Sequence, residues 1–368
     1  MEQDVLYKSL IRPVLFMGDA EETHERTLTL LAKITPLEGM LERWFSVPDK
    51  RLEVRVGTLT FPNPVGLAGG FDKNGVAVKT LAGFGFGFLE IGAVTALAQP
   101  GNPKPRLFRL PADDALINRL GFNNDGAAAI AARLKSLRER RSLPKIPLGI
   151  NIGRSKIVET KDAVADFLSA FRKLYPHGDF FTLNVSSPNT PQLRDLQEKS
   201  LLKILLQAIQ ETNQELARAA GHAPKPVLVK IAPDMEFSQA DDIIDVAIAE
   251  QISGIIATNA TAFLRETLVS GSREPGGLSG KPLRGLATSF VRHLYRAAGG
   301  KFPVIGVGGI FTAEDAYEKI KAGASAVQIY TGFIYEGPSA VKRINQGLVR
   351  LLERDGLKSI IDAVGREN

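Results

Sequence analysis

Eight short apolar runs recur along the chain after residue 52, and most are separated by stretches of helical periodicity. The runs are "PVGLAGG", "FGFLEIGAVT", "IPLGINIG", "FFTLNVS", "PVLVKIA", "GIIATN", "PVIGVGG" and "AVQIYTG". Between them, segments such as "DGAAAIAARLKSLRER", "VADFLSAFRKLY" and "SLLKILLQAIQETNQELARAA" repeat apolar residues at helical spacing. Near-continuous apolar strands with intervening helices predict a parallel sheet covered on both faces. Eight of them fit an α/β fold of the closed (β/α)8 TIM-barrel type. An open, doubly wound sheet is the alternative. No glycine fingerprint with a ribose-binding acid follows the first strand, which weighs against it. Ahead of the barrel, "LEVRVGTLTFPN" reads as a small hairpin around Gly57.

Residues 1–46 follow a different pattern and are read as a helical extension, with 47–368 forming the barrel. Leu6, Leu10, Val14 and Met17 recur at helical spacing, and Pro13 is expected to interrupt the helix or start a turn. Asp19 followed by Glu22 resembles a capping box, and Leu28 and Leu31 continue the stripe. Leu37, Met40, Leu41, Trp44 and Phe45 then mark a third short helix. Two readings stand: a helical cap packed on the barrel, or a pair of helices dipping into a membrane surface.

Composition narrows the chemistry. The 368 residues are 44% hydrophobic and 23% charged, as in a folded chain. Cysteine is absent, which excludes disulfides, thiolate metal sites and cysteine nucleophiles. Four scattered histidines make a histidine-rich metal site improbable, and no metal is expected. The net charge of +6 suggests an anionic partner, or simply a basic surface. No stretch reaches the roughly 18 to 20 apolar residues of a membrane span, and "MEQDVLYKSL" is not a secretory signal. A cytosolic or peripherally bound protein is expected, and a nucleic-acid partner is not.

Ligands of such a barrel bind at the C-terminal ends of its strands, and the unusual polar residues fall there. Lys73 follows the first run, Asn151 ends the third and Asn184 to Thr190 follow the fourth. Lys230 ends the fifth, and Thr258 and Asn259 end the sixth. A long insertion between the second and third runs adds "GNPKPRLFRL" and "INRLGFNN". One asparagine at a strand end is an ordinary turn residue; three asparagines and two lysines at successive strand ends are not. Asparagine amides both donate and accept, which suits a planar heterocycle with amide edges, and lysine offers fixed positive charge. The glycines of "GVGGI" and "YTG" lie where this fold usually binds phosphate.

In their order, "GLAGGFDKNG", "GNPKPRLFRL", "INRLGFNN", "NVSSPNTP", "VKIAPD", "IIATNAT", "GGLSG", "IGVGGI" and "QIYTGFIYEGP" resemble the class 2, quinone-dependent dihydroorotate dehydrogenases. The resemblance spans essentially the whole chain. It implies an FMN-containing barrel that oxidises dihydroorotate to orotate in pyrimidine synthesis. Electrons would pass to a membrane quinone, ubiquinone or menaquinone, that enters beneath the N-terminal helices. The protein would then sit on the anionic cytoplasmic face of the cell membrane.

The resemblance also assigns residues. Ser187 would be the base that removes the C5 proton while hydride leaves C6, with Thr190 and Phe122 serving a buried water relay and its cover. Class 1 relatives place cysteine at this position. Asn184 would reach both FMN and substrate, while Asn118, Asn189 and Asn259 would hold the heterocycle. Lys73 would contact both ligands, and Lys230 would stabilise negative charge on the flavin. Gly69, Gly70, Phe71, Asp72, Ala93, Asn151 and Thr258 complete the expected flavin contacts. Gly280, Gly309, Tyr330 and Thr331 would frame the ribityl chain and phosphate. Arg119, Leu120, Gly121 and Ala260 complete the substrate set, and His24, Arg109 and Tyr330 would line the quinone channel.

Two positions depart from the commonest pattern: Ala93 stands where a threonine or serine is frequent, and Ala260 where a threonine is usual. Each loses a hydroxyl hydrogen bond, worth about 0.5–1.5 kcal/mol. Thr261 is a candidate substitute for the missing hydroxyl, but its side chain is expected to point elsewhere on an extended segment. The competing readings are a non-redox barrel enzyme with a phosphorylated substrate, a flavin barrel acting on another pyrimidine, and a non-catalytic membrane-binding scaffold.

Overall fold

The computed structural model describes residues 6–300 and 302–368; the first five residues of the expected extension lie outside the described residues. A π-helical turn at Tyr7–Ile11 runs directly into α1 (Arg12–Met17). Pro13 has no N–H to donate and its ring crowds the carbonyl four residues back. The wider turn ahead of it relieves that clash, so the helix continues through the proline instead of breaking. Asp19 caps α2 (Ala20–Lys33), accepting from the amides of Glu21 and Glu22 at 3.0 and 2.9 Å. The Glu22 carboxylate pairs with Arg26 one turn on, so the cap is one-sided and not a reciprocal box. A third helix, α3 (Glu38–Phe45), completes the extension.

The faces of these helices divide the two readings of the extension. Leu28, Leu41 and Phe45 point inward and join the main core. Leu6, Leu10, Val14 and Met17 point away from it, with Val14 67% and Met17 86% exposed, and Leu37, Met40 and Trp44 are exposed too. The first helical run meets the barrel through the Phe16 ring, edge-on to Tyr335 at 5.3 Å, and through polar groups. The Tyr7 hydroxyl donates to the Ile334 carbonyl at 2.7 Å and Arg12 donates to that of Tyr335 at 3.1 Å.

A hairpin of β1 (Val54–Val56) and β2 (Leu59–Phe61) precedes the barrel. The strands then run β3 (Val65–Leu67), β4 (Phe88–Val94), β5 (Leu107–Leu110), β6 (Ala115–Asn118), β7 (Leu148–Ile152), β8 (Phe180–Asn184) and β9 (Val227–Ile231). They continue with β10 (Gly254–Ala257), β11 (Gly277–Gly280), β12 (Val304–Val307) and β13 (Ala326–Ile329). Eight of them close in parallel in the order β3-β4-β7-β8-β9-β10-β12-β13, with β13 pairing back onto β3. The sheet has no open edge, so the doubly wound alternative is excluded.

Aromatic side chains plug the hairpin end of the barrel. Phe61 stacks on Phe88 with ring centroids 4.2 Å apart, and Phe180 lies 6.2 Å from each. Neighbouring strands make room with glycine: a Cβ at Gly66 would sit 2.3 Å from the Phe88 ring, and one at Gly149 would sit 2.1 Å from Phe180. Higher in the barrel the interior turns polar. Glu90, fully buried, accepts from Asn151 Nδ2 at 2.7 Å, Gln328 Nε2 at 2.8 Å and Thr182 Oγ1 at 3.2 Å. Every acceptor of a buried carboxylate needs such a partner, because an unpaired one is strongly penalised.

The long insertion is structured. Its β5 and β6 pair antiparallel with each other and with β11, which comes from the segment after β10. Leu110, Ile117, Leu268 and Leu278 form a small separate core beneath this three-stranded sheet. Among the described residues no helix is long and apolar enough to cross a membrane.

Candidate active site

A cavity opens at the C-terminal ends of the barrel strands, walled on its outer side by the antiparallel sheet. Gly69, Gly70 and Lys73 reach it from beyond β3, Ala93 from β4 and Lys230 from β9. Asn184, Ser187 and Asn189 come from the end of β8, and Thr258, Asn259 and Ala260 from beyond β10. The insertion adds Asn118, Leu120, Gly121 and Phe122; Gly280, Gly309, Tyr330 and Thr331 line the opposite end. Most residues singled out in the sequence therefore meet in one space.

The floor carries charge and unmet hydrogen-bonding capacity. Lys230 is 4% exposed and lines the cavity. Burial pulls its pKa down, and the Glu90 carboxylate beneath partly offsets that pull. Thr258 Oγ1 and Gln328 Oε1 are buried without a partner, and both residues line the cavity. Asn184 donates to Asn151 Oδ1 at 3.1 Å, so Asn151 stands behind Asn184 and joins it to Glu90. At the opposite end glycine leaves backbone bare. Gly308 and Gly309 have φ of 116° and 71°, and a Cβ at Gly332 would lie 2.0 Å from the Ile310 carbonyl oxygen.

Residues 186–190 form the wall where the asparagines converge. Ser186 is fixed: its hydroxyl donates to Asn184 Oδ1 at 2.8 Å and accepts from Asn259 Nδ2 at 2.9 Å. Ser187, 5% exposed, accepts from the Asn189 amide at 3.2 Å and keeps its own proton uncommitted. Asn189 Nδ2 in turn donates to the Asn118 carbonyl and side-chain oxygens at 3.1 and 3.3 Å. The side chains facing a ligand here are thus held by one another. Thr190 lies just behind, with a buried and unpartnered Oγ1. Phe122 has φ of 54°, a conformation costing a non-glycine residue of order 1–3 kcal/mol, and its ring packs against Gly153.

Other expected residues point elsewhere. Asp72 accepts from the amides of Val76 and Ala77 at 2.9 and 2.8 Å and shapes the loop that presents Lys73. Arg119 pairs with Glu274 at 2.8 Å and lies over the Phe108 ring, on the outer lip. Thr261, fully buried, gives its hydroxyl to Asp234, so it does not stand in for the hydroxyl absent at Ala260. Sequence reasoning passed over Glu90 and Gln328. Their signal was a polar residue inside an apolar strand, in "FLEIGAV" and "AVQI".

A second cavity lies between α2 and the loop after β3 and is lined by Glu21, His24, Leu28, Phe71, Lys73 and Tyr330 among others. Lys73 and Tyr330 line both spaces. Burial lowers the Lys73 pKa to about 8. Burial, assisted by the Lys73 charge, pushes His24 down to about 4, and its Nε2 donates to the Phe71 carbonyl at 2.7 Å. Its Nδ1 is then left as an acceptor. Tyr330 separates the cavities, and burial raises its phenol pKa. Arg109 is outside both linings: it donates to the Gly18 carbonyl at 2.7 Å and lies 4.7 Å over the Phe16 ring, pinning the α1–α2 corner. Among the described residues no cluster suits a metal ion.

Comparison with known proteins identifies the lineage. Residues 51–352 match the family described as dihydroorotate dehydrogenase. A protein of Gloeobacter violaceus named dihydroorotate dehydrogenase (quinone) is 49% identical over 362 residues, covering 98% of each chain. One of the same name from Deinococcus deserti is 47% identical, covering 98% of this chain and all of its own. The crystal structure of DHODH from Eimeria tenella in complex with ferulenol superimposes with a TM-score of 0.88 at 37% identity, covering 95% of this chain and 96% of that one.

Proposed function

This chain belongs to the dihydroorotate dehydrogenase family, and we propose that it oxidises dihydroorotate to orotate at the barrel mouth and passes the electrons to a quinone, a step of pyrimidine biosynthesis. One observation carries the reading. A serine with an uncommitted proton and four asparagines braced in two pairs occupy one side of a cavity whose floor holds a buried lysine and unpartnered amide and hydroxyl groups.

The residues present fit FMN. The orphaned Thr258 Oγ1 and Gln328 Oε1, with Lys230 beside them, match the donors and acceptors of a flavin ring edge. Ala93, Gly69, Gly70 and Asn184 would border the ring, and Gly280, Gly309, Tyr330 and Thr331 the ribityl phosphate. A Cβ at Gly280 would lie 2.3 Å from the Asp114 carbonyl oxygen, so that position admits only glycine beside the cofactor. FMN supplies, when bound, the redox-active ring that accepts hydride from C6.

The chain's own groups do the rest. Asn118, Asn184, Asn189 and Asn259 hold the amide edges of the heterocycle, and Lys73 faces its negative charge. Ser187 takes the C5 proton. A serine hydroxyl is a weak base, so the proton needs an exit, and Thr190 Oγ1, buried and unpartnered three residues on, is the group we assign to that exit. Phe122 covers that route. Lys230 presents fixed positive charge where electron density arrives. The second cavity, between α2 and Tyr330, is where the quinone docks, either ubiquinone or menaquinone. Residues 1–46 are the part of the chain that serves it. The outward stripe Leu6, Leu10, Val14 and Met17 is the surface that rests on the cytoplasmic side of the membrane.

Dihydroorotate oxidation assayed in parallel with quinone, fumarate and NAD tests the reading. Turnover with quinone alone supports it. Turnover with NAD or fumarate and none with quinone contradicts it.

A further inference from the structure

The helical extension places one carboxylate inside the barrel's own polar machinery. Glu21, in the first turn of α2, is 4% exposed and meets Arg106, which is 5% exposed. Arg106 Nη2 donates to Glu21 Oε1 at 2.6 Å and Arg106 Nε to Oε2 at 2.9 Å, a bidentate pair. The remaining terminal nitrogen, Nη1, donates to the carbonyls of Pro100 and Asn102, both at 2.6 Å. Asn102, so placed, donates from Nδ2 to the carbonyls of Arg119 at 2.9 Å and Asn189 at 3.3 Å. The carbonyl of Arg106 itself accepts from the Arg119 amide at 2.8 Å. The segments bearing Asn118 and Asn189 therefore rest on a guanidinium whose counter-charge comes from the extension.

Glu21 also shares the second cavity with Lys73. The groups acting on the Lys73 ammonium are Glu21, Glu25 and Asp72, which favour its charged form, and Arg106, which opposes it; His24, also charge-sensitive to Lys73, is neutral. Glu21 is the largest of the charged influences, second only to burial. For Glu21 itself burial would raise the pKa. The Arg106 hydrogen bonds and charge, with Lys104 and Lys73, outweigh that and hold it below the ordinary carboxylate range. It is ionised at neutral pH.

We propose that Glu21 is a positioning residue of the dihydroorotate half-reaction: it braces the substrate wall through Arg106 and sets its carboxylate in the cavity that Lys73 shares. The inference rests on the reading of the barrel-mouth cavity as the dihydroorotate site. It gives the extension a second task beside the acceptor, so removing residues 1–46 strands a buried Arg106 charge and disturbs substrate binding as well as quinone use.

The test is orotate affinity, measured by calorimetry on the flavin-loaded full chain across about pH 6 to pH 10, the window spanning the Lys73 and ordinary lysine ranges. Wild-type affinity should fall as pH rises through about 8, where Lys73 loses its proton. Glu21→Gln keeps the shape and removes the charge, so the fall should move to lower pH, with binding weakened up to about tenfold at the wild-type midpoint. Glu21→Asp, which draws the charge back, should lie between the two and serves if Glu21→Gln does not fold. Superimposable curves, or a uniform loss with the midpoint unmoved, overturn the proposal. A wild-type protein that binds no orotate at any pH overturns the functional reading instead.

Discussion

The Asn189 amide donates to Ser187 Oγ at 3.2 Å while no acceptor among the described residues takes the Ser187 proton. The neighbouring Ser186 hydroxyl is, by contrast, engaged as both donor and acceptor. Of the two adjacent serines, only Ser187 is oriented yet free to exchange its proton. Ser187→Ala should therefore retain the flavin and bind orotate while losing about 10²- to 10⁴-fold in the rate of flavin bleaching by dihydroorotate, followed by stopped flow. A near wild-type rate would remove Ser187 from the mechanism.

Lys230 and Gln328 are tied to the same buried carboxylate, Glu90, one through charge and one through a 2.8 Å hydrogen bond. Lys230→Met should lower flavin retention and the flavin midpoint potential, because the positive charge at the ring edge is lost. Gln328→Leu leaves one Glu90 oxygen with a partner fewer, and should lower stability by about 1–3 kcal/mol in denaturant unfolding along with flavin content. Unchanged flavin content in both variants would contradict the placement of the ring.

His24 carries a pH signature. Its folded pKa of about 4 lies below the ordinary 6.5, so between those values the unfolded chain binds more protons than the folded one. Its contribution to stability is complete above about 6.5 and is lost as pH falls toward 4. The ceiling on this loss is about 3 kcal/mol. His24→Asn should flatten the stability curve in that window relative to wild type; parallel curves would show that His24 is not buried neutral.

The outward stripe predicts salt-sensitive lipid binding. Val14→Asp and Met17→Asp, at positions 67% and 86% exposed, should weaken co-sedimentation with anionic vesicles, while dihydroorotate oxidation with a soluble acceptor dye continues. Wild-type binding itself should decline as salt rises. Vesicle binding unaffected by either substitution would place the membrane contact elsewhere.

The barrel was legible because its eight strands are apolar on both faces and separated by helices, a pattern with few alternatives. The cavity residues were legible as polar positions at strand ends. Side chains that act behind them were not, because alternation hides them: Glu90 and Gln328 sit within apolar runs and look like isolated exceptions. Arg109 and Arg119 were expected at ligands, but long side chains follow the nearest acceptors, here the α1–α2 corner and Glu274. The Glu21–Arg106 pair joins residues 85 apart in sequence, and no local spacing announces such a contact. Nor did periodicity reveal that the Leu6–Met17 stripe faces outward; that depends on Tyr7 and Arg12 finding carbonyls in the barrel.

The most direct measurement is anaerobic mixing of the purified, flavin-loaded protein with dihydroorotate, followed by a quinone. The account predicts rapid bleaching of the flavin absorbance, formation of orotate in equal amount, and prompt recovery of the absorbance on adding quinone but not NAD or fumarate. Absorbance unaffected by dihydroorotate, or bleaching that quinone cannot reverse, would contradict it.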